Sequence, residues 1–137
     1  MNISINRRHF LITTAASVAL PVAAFAAEDW IDFEPGVIQA LLNEGKTVMV
    51  DYSAVWCSTC KAQKRVMTDL RTLNPAYNEA MVFVRVDWDD YGRHAVTTSR
   101  KIPRRSTLII LRGNEELGRI VAGTRVSDIE ALMDLVL

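Results

Sequence analysis

The strongest constraint on the fold is a junction between two kinds of pattern. Lys46 to Tyr52 (KTVMVDY) is a short apolar run rich in β-branched residues, bounded by a Gly before it and lacking the polar alternation of a strand with one wet face. Such a run suits a strand covered on both sides. Just beyond it, after Trp56-Cys57, a helical pattern begins around Ser58 and continues to about Leu73, where Asn74-Pro75 stops it. A doubly covered strand that feeds directly into a helix belongs to a layered α/β architecture. The rest of the chain agrees. Val37, Ile38, Leu41 and Leu42 follow Glu34-Pro35 at helical spacing, and Asn43 to Gly45 ends that helix. Met81 to Asp87 reads as a second strand, with Val82, Val84 and Val86 on one face and Phe83, Arg85 and Asp87 on the other. Asp89 to Lys101 is a polar helix or loop. Thr107 to Leu111 and Glu116 to Val121 flank an Arg112-Gly113-Asn114 turn and form an antiparallel hairpin. Ser127 is placed to cap a last helix carrying Ile129, Leu132, Met133 and Val136. The expected order is α-β-α-β-α-β-β-α: one α/β domain with a mixed central sheet of about four strands and helices on both faces.

The N-terminal 26 residues are excluded from this fold. Arg7 and Arg8 precede an uncharged run from Phe10 to Ala27, interrupted by Pro21, and Ala24-Phe25-Ala26 offers small residues for cleavage after about Ala26. Asn6-Arg7-Arg8-His9-Phe10-Leu11 is similar to a twin-arginine export signal. The expected organisation is a signal peptide at 1–26, a folded domain at 27–137, and a periplasmic destination. The whole chain carries 16 basic and 16 acidic residues. Removing the leader takes two arginines with it and leaves a net charge of −2. This balance excludes a nucleic-acid surface or a polybasic membrane patch.

The domain holds two cysteines, Cys57 and Cys60, with Ser58 and Thr59 between them. Structural zinc needs about four ligands, and His94 is the only histidine beyond the leader. A c-type haem site needs histidine directly after the second cysteine, where this chain has Lys61. A structural disulfide across so short a loop constrains the unfolded chain little. A redox dithiol passes each of these tests. Its position supplies a mechanism: at a strand-to-helix junction, Cys57 faces unpaired backbone N–H groups and the positive end of the helix dipole, which favour the thiolate. Cys57 is then the attacking residue, and the less exposed Cys60 resolves the mixed disulfide.

The segment Asp51-Tyr52-Ser53-Ala54-Val55-Trp56-Cys57-Ser58-Thr59-Cys60-Lys61 resembles the active-site segment of thioredoxins, and Ala54-Val55-Trp56-Cys57 with Lys61 is also similar to periplasmic thioredoxin-like reductases. The resemblance implies a thioredoxin-like fold and three further roles. Asp51 would be a buried carboxylate that takes the proton of Cys60. Trp56 would shield the sulfurs and offer substrate an apolar contact. Arg85 would replace the lysine that pairs with the buried acid.

The family also places a proline opposite the dithiol, before the third strand. A gapless register puts Ser106 there, whereas matching Pro103 requires about three extra residues before Thr107. With Ser106 in that place, Arg104 and Arg105 would flank the sulfurs, favour thiolate and suit an acidic partner. The resemblance implies a periplasmic thiol–disulfide oxidoreductase without a cofactor or resident metal. It would act as a monomer that reduces disulfides of exported proteins, with a membrane thiol carrier as electron donor. Ser106, Arg105 and Trp56 would meet the substrate. A dithiol oxidase is the alternative direction. A copper-handling module using the cysteines with Met67 or His94 is the alternative class.

Overall fold

The computed structural model describes residues 29–137, so the expected leader, its paired arginines and its cleavage site lie outside the described residues. Eleven elements follow in order: β1 (Ile31–Asp32), α1 (Val37–Asn43), β2 (Thr47–Ser53), α2 (Ser58–Leu73), α3 (Ala76–Ala80), β3 (Val82–Asp87), α4 (Trp88–Tyr91), α5 (Ala95–Thr98), β4 (Thr107–Arg112), β5 (Glu115–Val121) and α6 (Val126–Asp134). The sheet order is β1-β3-β2-β4-β5. β1, β3 and β2 are parallel, and β4 and β5 are antiparallel additions on the other side of β2. β2 is the central strand, so its apolar run is continuous rather than alternating.

Each face of the sheet has its own core. Val48, Val50 and Tyr52 point one way, joining Val84, Val86, Ile109 and Leu111 beneath α1 and the 88–102 segment. Met49 points the other way, joining Phe83, Leu108 and Ile110 beneath α2, α3 and α6. On that second face Gly118 lies close under α6: a Cβ there would stand 2.6 Å from Leu132 Cδ1 and 2.8 Å from Leu135 Cδ1, so those side-chain ends would have to shift.

Several sequence expectations are corrected. The sheet has five strands, because Ile31 and Asp32 pair with Val84 and Arg85 at the free edge of β3; two residues are too few to show a period. α1 begins only after Gly36, which has a positive φ of 93°; Glu34-Pro35 form the turn before it. Asn74-Pro75 does end α2, but Pro75 then caps the short α3, a position where its missing N–H costs nothing. The polar stretch 89–101 holds most of α4, which begins at Trp88, and all of α5, the two being capped by the side chains of Asp87 and His94. Ser127 is not the cap of α6. The Arg125 carbonyl accepts from the amides of Asp128 and Ile129, so the helix starts earlier and Ser127 is left exposed in its first turn.

Candidate active site

β2 ends at Ser53, the chain turns through Ala54 to Trp56, and Cys57 becomes the N-cap of α2. The cap is sulfur-based: the Cys60 amide donates to Cys57 Sγ at 3.2 Å. One helix-end N–H is therefore satisfied by the atom expected to carry negative charge in the reduced protein. Cys57 and Cys60 are joined as a disulfide, with Cα atoms 5.3 Å apart. Both are buried, 3% and 1% exposed, so the expected contrast in accessibility between them is slight in this state. Ala54 and Trp88 pack against the pair.

Ser106 lies opposite. Its hydroxyl oxygen is 3.2 Å from Cys57 Sγ and 3.1 Å from Cys60 Sγ. Pro103, the competing candidate, is exposed. Ser106 is fully buried, and its backbone has a φ of 61°, left-handed space that costs a non-glycine residue about 1 kcal/mol or more. The described residues contain no cis peptide. Proline, fixed near a φ of −65°, could not take this conformation. Three hydrogen bonds hold the strained residue: its amide donates to the Tyr52 carbonyl at 2.7 Å, and its own carbonyl accepts from the Ala122 amide at 2.8 Å and from Gln63 Nε2 at 3.0 Å.

Asp51 sits on β2 with a side chain 1% exposed, and among the described residues its Oδ1 has no hydrogen-bond partner. Burial pushes its pKa up to about 7, against the opposing pull of the Arg85 and Lys64 charges. Arg85 is the register neighbour of Asp51 across the β2–β3 pairing, yet its guanidinium is ion-paired with Asp32 on β1 at 2.6 Å. The expected Arg85–Asp51 pair is thus corrected: the added strand supplies a nearer, solvent-exposed carboxylate. A cleft of about 490 Å³ opens beside Cys60, with Lys61, Lys64, Arg85 and Asp87 in its walls.

Trp56 stands on the rim, 55% exposed. Its indole N–H donates to the Asp89 carboxylate at 3.0 Å, and the Arg105 guanidinium lies 4.4 Å from the centre of its ring. Arg105 is therefore brought to the rim as a stacking partner of Trp56. Arg104 turns back, its Nε donating to the Arg105 carbonyl. Met67 is fully buried in the core beneath α2. His94 is exposed and spends its Nδ1 on the Val96 amide at 3.1 Å. Neither side chain joins the sulfurs, and among the described residues no group of three or more His, Cys, Asp or Glu is arranged to hold a metal ion.

Two contributors escaped the sequence reading. Gln63 is fully buried, and its Nε2 bridges the carbonyls of Ser106 and Gly123. The signal was present: positions 60, 63, 67 and 70 form one helical stripe, and Gln63 is the polar residue within it. Asp89 orients Trp56 across a sequence gap that no local pattern bridges.

The chain is similar in sequence and in fold to known proteins. Thioredoxin H5 of Oryza sativa subsp. japonica is 29% identical over 86 residues, which are 63% of this chain and 59% of that protein. Thioredoxin H2-1 of the same plant is 31% identical over 83 residues, covering 61% of this chain and 56% of that protein. The chain therefore spans less than two thirds of the length of these relatives. The crystal structure of Trxlp from Edwardsiella tarda EIB202 superposes with a TM-score of 0.64 at 26% identity, covering 79% of this chain and 98% of that one. Residues 29–108, more than half of the chain, match the thioredoxin-like family, and the protein belongs to that family.

Proposed function

We propose that this protein is a thiol–disulfide oxidoreductase that reduces disulfides in exported proteins. The observation that carries the reading is the Cys57–Cys60 disulfide at the head of α2, with Cys57 Sγ already accepting a helix-end amide. In the reduced protein the same amide and the helix dipole stabilise a Cys57 thiolate. That thiolate attacks one sulfur of a substrate disulfide and forms a mixed disulfide, and the other substrate sulfur leaves as a thiolate. Cys60 then gives up its proton and attacks Cys57 Sγ. The Cys57–Cys60 bond forms, the mixed disulfide breaks, and the second substrate sulfur leaves. Two electrons pass from the dithiol to the substrate. Asp51, buried and with its pKa near 7, is the group we assign to take the Cys60 proton. Trp56, with Arg105 stacked on it, forms the wall against which substrate docks, whereas Ser106, expected to meet substrate, is fully buried and backs the two sulfurs instead. Arg105 is the basic group on that rim that would meet an acidic side chain of the partner.

The direct test is a Cys60→Ser chain incubated with a disulfide-bonded client extract. It is expected to accumulate a Cys57-linked complex that dithiothreitol releases, while the unaltered chain turns over and accumulates none. Absence of that adduct sinks the reading. Direction is settled by the reduction potential: about −270 mV supports a reductase, and about −120 mV supports an oxidase.

The periplasm is the proposed compartment, with a membrane thiol carrier as electron source. This rests on the paired arginines, the uncharged run and the Ala24-Phe25-Ala26 boundary. Replacing Arg7 and Arg8 together by lysine is expected to leave the uncleaved precursor inside the cell, read by fractionation and immunoblotting. Normal export of that variant would refute the twin-arginine route.

A further inference from the structure

Ser106 Oγ touches both sulfurs, and among the described residues no hydrogen bond to any other group engages it. The sulfurs of a disulfide carry no hydrogen, so in the oxidised protein the serine must be the donor. It has one proton and two acceptors. Its backbone cannot move to choose between them, because the Tyr52 carbonyl, the Ala122 amide and the Gln63 side chain anchor it on both sides. Rotation of the O–H bond can. An ionised sulfur accepts a hydrogen bond far better than a neutral one, so the proton follows the charge.

We infer that Ser106 is a catalytic hydrogen-bond donor shared by the two cysteines: its hydroxyl stabilises the Cys57 thiolate in the reduced protein and turns to the Cys60 thiolate once Cys57 is held in the mixed disulfide. This inference rests on the exchange cycle proposed above and adds no covalent step to it. Serine supplies a side-chain donor in the place where the resemblance to thioredoxins implies a proline, which has none. Because the donor favours the ionised dithiol over the disulfide, it makes the protein a weaker reductant than the same site without it.

The test uses Ser106→Gly in the full chain. Glycine accepts a φ of 61° without steric cost, so the thermal midpoint is expected to hold or rise while the hydroxyl is lost. The pH dependence of Cys57 alkylation should then shift upward by about one pH unit or more. The equilibrium with glutathione should move about tenfold toward the disulfide, equivalent to about 30 mV. Ser106→Thr restores a hydroxyl and is expected to return both readouts toward the original values. For the second half of the cycle, Cys60 is titrated in Cys57→Ala with and without Ser106→Gly, and its pKa should rise when the serine is removed. An unchanged pKa at either sulfur overturns the shared donor. If the unaltered chain reduces disulfides while Ser106→Gly titrates as it does, the exchange cycle stands and this inference falls. If the unaltered chain reduces none, both fall.

Discussion

Asp51→Asn is expected to stabilise the fold by about 3 kcal/mol at neutral pH while slowing the resolving half of exchange. The carboxyl is 1% exposed, and burial raises its pKa from 3.8 to about 7. Below pH 3.8 it is protonated in both folded and unfolded chains, and its contribution is fully present. Between about pH 4 and 7 the unfolded chain loses the proton while the folded chain keeps it, so stability falls as pH rises through that window. Above about 7 both states are ionised and the loss levels off. At about 1.4 kcal/mol per pH unit the full loss is about 4 kcal/mol, part of which asparagine returns as the burial cost of its own amide. Urea unfolding across this window should show a falling midpoint for the unaltered chain and a flat one for Asp51→Asn. Parallel pH slopes would falsify the assignment. The kinetic counterpart is a resolution rate that rises through about pH 7, as the carboxylate becomes able to accept the Cys60 proton, and loses that inflection in the variant.

Arg71→Ala is expected to destabilise the protein by about 3 kcal/mol, with little effect on the intrinsic reactivity of the cysteines. Arg71 lies in the last turn of α2 and is 1% exposed. Its guanidinium stands 3.8 Å from the centre of the Phe83 ring and 5.7 Å from that of Trp30. Its Nε donates to Asn78 Oδ1 at 2.6 Å, and an Nη donates to the Asp29 carbonyl at 3.2 Å. Burial lowers its pKa to about 10, but it remains a cation at any working pH. Alanine removes a desolvated cation–π contact of about 2 kcal/mol, the charge-assisted hydrogen bonds and the packing of the stem. Relief of the buried charge offsets part of that. Arg71→Met, which keeps the stem, should recover about half of the loss in thermal or chemical unfolding. A loss below about 1 kcal/mol for Arg71→Ala would show that the cation is merely tolerated.

These two buried charges show what could and could not be seen in the sequence. The strands, α2 and the placement of Cys57 at its head followed from periodicity and punctuation, because hydrophobic pattern and burial are the same fact for β2, β3 and β4. Asp51 was found through the resemblance of its segment, since an acid within an apolar strand has no periodic signature of its own. Arg71 gave no signal: an arginine near a helix C-terminus is ordinarily a surface residue favoured by the dipole, and only the approach of Phe83 and Trp30 from distant segments buries it. β1 was missed because two residues carry no period, and with it the ion pair that draws Arg85 toward Asp32. The left-handed backbone of Ser106 was equally silent, because serine does not advertise a positive φ as glycine does. Alignment could place Ser106 opposite the sulfurs. The backbone that turns its hydroxyl toward them is held by β2, by the end of β5 and by Gln63, none of them neighbours in sequence.

That dispersed support makes the dithiol a reporter of assembly. Ser106 is separated from Cys57 by 49 residues and from Gln63 by 43, and it is fixed only when β4 has paired antiparallel to β2. Closing so long a loop is entropically slow, so a nascent chain carries two ordinary thiols long before it carries an active site. The rate at which Cys57 acquires the contact with Ser106 during refolding would therefore time the docking of the C-terminal hairpin. Truncation before β4 would leave the complete Cys-x-x-Cys sequence with the reactivity of a free peptide.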